Sequence, residues 1–144
     1  MKPNLLNLVY TSQAREWVTA QALEDILPVS RRRNENDGIT GFLAVRGDCF
    51  LQLLEGPAPK VRECYGRILL DRRHSGIILQ GEAFTDLRMM PDWDMGLVEM
   101  DETSPSNAHL LTLFELGRRR EAHADPEALQ MLLRKFSRDA GIPD

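Results

Sequence analysis

Few side chains in this 144-residue sequence are set up for chemistry, and the one that stands out lies in an apolar strand. In "CFLQLLEG", residues 49 to 56, Cys49, Phe50, Leu51, Leu53 and Leu54 suit the middle of a sheet buried on both faces, and Gln52 interrupts them. A primary amide in that setting is costly unless its carbonyl and both N–H donors find partners. In "LLNLVYTS", Tyr10 shares a strand face with Leu6 and Leu8. A lone tyrosine on an apolar face is ordinary core, whereas the amide asks for partners of its own. Other reactive patterns are missing: the chain has no Gly-rich phosphate loop, no HExxH and no paired Cys-x-x-Cys, and its three histidines are His74, His109 and His123. No hydrolase or metal site stands out.

The elements that must position these residues follow in a clear order. "LLNLVYTS" alternates, with Leu5, Val9 and Thr11 opposite Leu6, Leu8 and Tyr10, and predicts a strand over about 4–11 with both faces covered. Thr19 offers an N-cap for a helix that carries Leu23, Ile26 and Leu27 inward, and Pro28 is expected to kink or interrupt it before the run Arg31, Arg32, Arg33. "GITGFLAVRGDCFLQLLEG" predicts a hairpin turning at Gly47-Asp48. If Arg46 opposes Cys49, then Val45 opposes Phe50, Ala44 opposes Leu51 and Leu43 opposes Gln52. Gln52 therefore shares a face with Leu43, Val45, Phe50 and Leu54, while Phe42, Ala44, Leu51 and Leu53 make an equally apolar opposite face. Both faces need cover, and the register predicts that Gln52 is buried.

A second helix opens at Pro59, carries Val61, Cys64, Tyr65, Ile68 and Leu69 at helical spacing, and ends near "DRRH". Two more strands are expected near 76–84 and 95–100. The order β-α-β-β-α-β-β predicts an α+β, ferredoxin-like fold with a five-stranded mixed sheet. Two C-terminal helices, one capped at Ser106 or Asn107 and running through Leu110, Leu113 and Phe114, the other opened by Asp125-Pro126 and carrying Leu129, Leu132, Leu133 and Phe136, would cover the remaining face.

Composition sets the bounds. The chain is 42% hydrophobic and 28% charged, about one domain's worth, without an apolar run long enough to span a membrane and without a signal-peptide layout, which leads us to expect a cytoplasmic protein. The net charge of −4 argues against general affinity for nucleic acid, and the Arg31–Arg33 and Arg118–Arg120 runs are expected to be solvated faces. Cys49 and Cys64 fit buried apolar roles better than a disulfide framework or a zinc site.

Five separated blocks, in order, resemble the BLUF family of blue-light sensors that bind a flavin. They are "LVYTS" with Tyr10, "NENDGITG" with Asn34, "FLQLLEG" with Gln52, "RILLDRRH" with Arg67, Asp71, Arg73 and His74, and "DWDMG" with Trp93 and Met95. The resemblance implies FAD as cofactor, with FMN or riboflavin as alternatives. It places Gln52 between the Tyr10 phenol and the N5/C4-carbonyl edge of the flavin ring, Asn34 on the C4-carbonyl and N3 edge, and Arg67, Asp71, Arg73 and His74 on the C2 side, the ribityl chain or the phosphates. It also implies a switch: Tyr10 yields an electron and a proton through Gln52 to the excited flavin, recombination leaves a rotated or tautomerised amide, and Trp93 and Met95 receive the change. Each block has a plainer reading, "DRRH" as a basic helix C-terminus and Trp93 and Met95 as core. One departure is local: Arg33 precedes Asn34, where members often carry a smaller polar or imidazole side chain.

The family frame divides the chain into a flavin-binding domain, residues 1–100, and a C-terminal cap and output segment, residues 101–144. That segment is too short for an attached cyclase or phosphodiesterase, so a non-enzymatic sensor that signals to a partner protein, self-associates, and uses neither nucleic acid nor membrane is expected. Two other functions compete, a small redox flavoenzyme and a flavin-free ferredoxin-like regulatory module in which Tyr10 alone satisfies Gln52.

Overall fold

The computed structural model describes residues 4–15, 20–91, 94–99, 130–131 and 133–135. The chain runs β1 (Leu5–Ala14), α1 (Ala20–Asp37), β2 (Thr40–Arg46), β3 (Cys49–Pro57), α2 (Ala58–Leu69), β4 (His74–Thr85) and β5 (Asp94–Glu99). The strands form one five-stranded sheet in the order β4-β1-β3-β2-β5. β2 and β5 pair in parallel and every other neighbouring pair is antiparallel. α1 links β1 to β2 across β3, and α2 links β3 to β4 across β1. This is the split βαβ arrangement of a ferredoxin-like α+β fold with a fifth strand added, the class expected from the sequence.

The register of the hairpin follows from its turn. Gly47 has φ +60, the left-handed conformation that glycine adopts freely, and the pairs Arg46–Cys49, Val45–Phe50, Ala44–Leu51 and Leu43–Gln52 fall as the sequence predicts. The two faces of the sheet are buried differently. On the helix side, Leu6, Leu8, Tyr10, Leu43, Phe50 and Leu54 pack with Leu27 of α1 and with Val61 and Cys64 of α2. On the other side, Phe42, Ala44, Leu51 and Leu53 are fully buried. Residues 130, 131 and 133–135 are helical; the hydrogen bond from Gln130 Nε2 to Asn7 Oδ1 and the full burial of Leu133 put this segment on the second face. The expected helix from 106 or 107, and Leu129, Leu132 and Phe136, lie outside the described residues.

The second face also encloses a carboxylate. Glu55 is fully buried, and it accepts hydrogen bonds from Asn7 Nδ2 (2.9 Å) and from the backbone N–H groups of Met89 and Met90. Burial pushes its pKa up, and the donors on Met89, Met90 and Asn7, with Arg88 nearby, draw it part of the way back. Arg88 bridges the same region, donating to Thr40 Oγ1, Glu55 O and Gly38 O. The loop that leads into β5 is thereby tied to β2 and β3.

Two local expectations shift. α1 runs without interruption through Pro28, so of the kink or interruption expected there the interruption does not occur. Pro28 and Glu24 both lie on the exposed side of the helix, so the carbonyl of Glu24, which the ring deprives of its i+4 donor, can bond water instead. Leu69 is also exposed, since α2 buries Val61 and Cys64 and half-buries Tyr65 and Ile68, and Leu69 falls past the edge of that stripe.

Gly41 is the tightest point of the sheet. It has φ +150, and a Cβ there would overlap the carbonyl oxygen of Leu53. A Gly41→Ala variant is expected to lose about 1–3 kcal/mol of stability, seen as a lower urea midpoint with an unchanged slope; an unchanged midpoint would contradict this close approach.

Candidate functional site

Antiparallel pairing brings the phenol and the amide together. Tyr10 lies directly opposite Gln52 in the β1–β3 ladder, and Leu43 flanks Gln52 from β2. Side chains paired this way start about 4.5–5.5 Å apart at Cβ, so they meet without bending either strand. The Tyr10 hydroxyl donates to Gln52 Oε1, and Gln52 Nε2 donates to Met95 Sδ at 3.1 Å. The partners fix which way the amide points. Turned over, its carbonyl would face a thioether that has no proton to give, and one of the two hydrogen bonds would be lost.

Met95 reaches Gln52 because β5 is irregular there. Gly41 pairs with Asp94 and Phe42 with Gly96, leaving Met95 as the extra residue of a bulge. Its φ of +119 is a conformation that a methionine adopts only under constraint, at a cost of about 1–3 kcal/mol. The side chain is 1% exposed, and the backbone carbonyl accepts from Arg31 Nε at 3.0 Å.

A cavity of about 420 Å³ opens between α1, α2 and the sheet, within the range of small-molecule sites. Tyr10, Asn34, Gln52, Arg67, Asp71, Arg73, His74 and Met95 all line it, so every described residue nominated from the sequence converges on one site. Trp93 lies outside the described residues, as does Trp17. Gln52 is half-buried where full burial was expected, because the cavity stands in front of it in place of packed side chains.

The chemistry of the walls fits a flavin. Leu23, Ile26, Leu27, Leu43, Phe50 and Ile68 give apolar surface for the faces of a flat ring, and the amides of Asn34 and Gln52 offer donors and acceptors for its edge. Cationic groups gather at the α2 end and on α1. Arg67 bonds Glu63 at 3.2 Å, while its buried Nη2 lies 3.7 Å from Asp37 and makes no hydrogen bond among the described residues. Arg73 is held by Asp71, whose carboxylate accepts from the Arg73 backbone N–H and from its guanidinium. Those hydrogen bonds hold Asp71 below the usual carboxylate range and raise Arg73. Arg33 is exposed at the rim.

His74 has both ring nitrogens engaged within the protein. Nε2 lies 2.8 Å from the carbonyl of Ile68, which can only accept, so in the neutral ring Nε2 carries the proton and Nδ1 accepts from Ser12 Oγ at 2.8 Å. The ring meets Tyr10 edge-on with centroids 6.2 Å apart, and Tyr65 lies 5.6 Å from Tyr10 on a tilted plane. Burial pushes the Tyr10 phenol far above its ordinary value, with smaller contributions from Cys64, Tyr65 and Asp71; burial raises Cys64 and Tyr65 as well. Tyr10 is thus held as a neutral phenol.

Two contacts escaped the sequence. Arg31 is exposed, in keeping with a solvated basic run, but it sits four residues after Leu27 and three before Asn34, and that spacing was the available signal that its guanidinium could reach inward. Ser12 had none, because its bond to His74 spans 62 positions.

A family model described as "Sensors of blue-light using FAD" matches residues 5–96. The chain is 30% identical to the solved dark-state structure of BlrB, a BLUF protein, with a TM-score of 0.75 over 96% of this chain and 98% of that one. It is 36% identical over 74 residues to the blue light- and temperature-regulated antirepressor BluF of Escherichia coli K12, covering 51% of this chain and 18% of that protein. It is 29% identical over 117 residues to photoactivated adenylate cyclase subunit beta of Euglena gracilis, covering 80% of this chain and 14% of the cyclase. The chain belongs to the BLUF family of flavin-binding blue-light sensors. It spans less than a fifth of the length of these two named relatives.

In a flavin-free Tyr65→Phe variant, Tyr10 is the remaining tyrosine, and its phenolate absorbance is expected to stay absent at about pH 10, where a free phenol titrates. Because its folded pKa lies above the unfolded one, its contribution to stability is fully present below about pH 10 and is lost as the pH rises toward the folded value, so phenolate should appear together with unfolding. A phenolate band with a midpoint near pH 10 in protein that is still folded would contradict the burial of Tyr10.

Proposed function

We propose that Tyr10 and Gln52 are the photoactive pair of this sensor and that light is expressed as a rearranged Gln52 amide felt at Met95. The observation that carries this reading is the amide suspended between the Tyr10 hydroxyl and the Met95 thioether at the wall of the cavity. In this reading Asn34 and Gln52 hold the polar edge of the flavin, and Arg67, Asp71, Arg73 and His74 line its other side. FAD is the form we assign, over FMN and riboflavin, in keeping with the family description and with three arginines, Arg33, Arg67 and Arg73, at a cavity where phosphates would need cations.

Bound flavin, excited by blue light, supplies a one-electron oxidant. The chain supplies the electron donor and the path for a proton. Burial keeps Tyr10 protonated, so loss of an electron is coupled to loss of the hydroxyl proton, and the hydrogen bond to Gln52 Oε1 is the route in place for it. Recombination returns both to Tyr10, with no net chemistry, and leaves the amide rearranged. Rotation takes Nε2 off Met95 Sδ and sets it against Tyr10 Oη; tautomerisation, which moves one amide proton to Oε1, leaves Nε2 with a single N–H. Either change alters the bond that Met95 receives. An unmet partner costs about 1–3 kcal/mol, the size of a typical allosteric coupling.

From Met95, and from Trp93 beside it in the chain, the signal passes along β5 into residues 101–144, which we assign as the output segment. The relatives named above carry the matching region within a cyclase and an antirepressor. For this chain we propose a separate protein partner, no enzymatic activity of its own, self-association through the sheet edges β4 or β5 or through the output segment, and action in the cytoplasm. Among the described residues, no helix is long and apolar enough to cross a membrane.

The purified protein is expected to be yellow and to show a red shift of flavin absorption on blue illumination that reverses in the dark. Gln52→Ala and Tyr10→Phe should each abolish the shift. A flavin that bleaches irreversibly, or that does not respond, would overturn the reading.

A further inference from the structure

Met95 is held at two points. As the extra residue of the β5 bulge it has no partner across the β2–β5 ladder, and its positive φ is not one that the side chain favours. Its sulfur accepts from Gln52 Nε2 at 3.1 Å and its carbonyl accepts from Arg31 Nε at 3.0 Å. The second contact is anchored on α1 between Leu27, which packs in the core, and Asn34, which lines the cavity. Arg31 itself does not line the cavity.

We infer that Arg31 is a positioning residue for the switch: by bonding the Met95 carbonyl from α1, it holds the β5 bulge in the conformation that keeps Met95 Sδ against Gln52. The two bonds act on one residue's backbone and side chain, so loss of either loosens the other. α1, through Arg31, therefore receives the change at Gln52 alongside β5. The light-dependent part of this inference rests on the function proposed above, while the dark geometry stands apart from it.

The test uses the full chain as purified. Arg31→Ala should fold, since Arg31 is exposed and alanine is a better helix former. With methyl-labelled methionine, the Met95 signal, assigned by its loss in Met95→Leu, is expected to move or split in dark Arg31→Ala and to return toward the parent position in Arg31→Lys, which keeps a donor for the carbonyl. After blue light, Arg31→Ala should still show the red shift and recover about fivefold more slowly, because Met95 must be reseated without its second anchor. In a Met95→Leu background, which lacks the sulfur acceptor, Arg31→Ala should change recovery no further. A Met95 methyl signal unmoved in Arg31→Ala, or effects of Arg31→Ala and Met95→Leu that multiply, would overturn the inference. If the parent protein shows no light response, the sensor mechanism fails, and the dark methyl comparison still decides the role of Arg31.

Discussion

A primary amide cannot be left unpaired in an apolar wall, and the site is arranged around that constraint. Gln52 occupies the middle strand of the sheet with neighbours on both sides. Its carbonyl is met by a phenol from β1 and its amino group by a sulfur from β5, three strands away from β1 in the sheet order. A thioether is a weak acceptor, so one of the two partners is strong and the other is readily given up. The amide is thus tied firmly to Tyr10, the electron donor we propose, and loosely to Met95, the proposed receiver.

The firm side of this arrangement was legible in the sequence because it is built from local rules. A glycine turn fixes the hairpin register, the register fixes the face, and the face makes Gln52 anomalous. Alternation in β1 groups Tyr10 with Leu6 and Leu8; that this is the face to which Gln52 belongs came from the family resemblance, and the β1–β3 ladder shows it. The loose side was not legible. Met95 reaches Gln52 at a bulge that adds a residue to β5, and no period of two or 3.6 encodes a bulge. Arg31 and Ser12 share that difficulty. Each acts across more than sixty positions, and each has the composition of an ordinary surface or strand residue. The family resemblance named Met95 and His74 without describing how this chain holds them.

The reverse face of the sheet gives the same loop a second tether. Glu55, on the strand that carries Gln52, takes the backbone N–H groups of Met89 and Met90, and Asn7 joins it to Gln130 in the C-terminal segment. The segment before β5 is therefore bonded to β3 behind the sheet, while β5 itself meets β3's amide in front. Tail, loop and the strand that carries Gln52 share one set of polar contacts, although the apolar core supplies most of the burial.

The position of β5 in the sheet has a mechanical meaning. β3, which carries Gln52, is clamped between β1 and β2 by two antiparallel ladders, while among the described residues β5 has one ladder, parallel and interrupted by a bulge, supplemented by the bonds of Met95 to Gln52 and Arg31. The backbone has more ladder bonds around Gln52 than around Met95, which would suit the proposed proton transfer at the first and the proposed displacement at the second. Met95 on an interior strand would be held by two ladders; on the edge strand β5 it is held by one, so the change we propose at Gln52 would meet less resistance on its way outward.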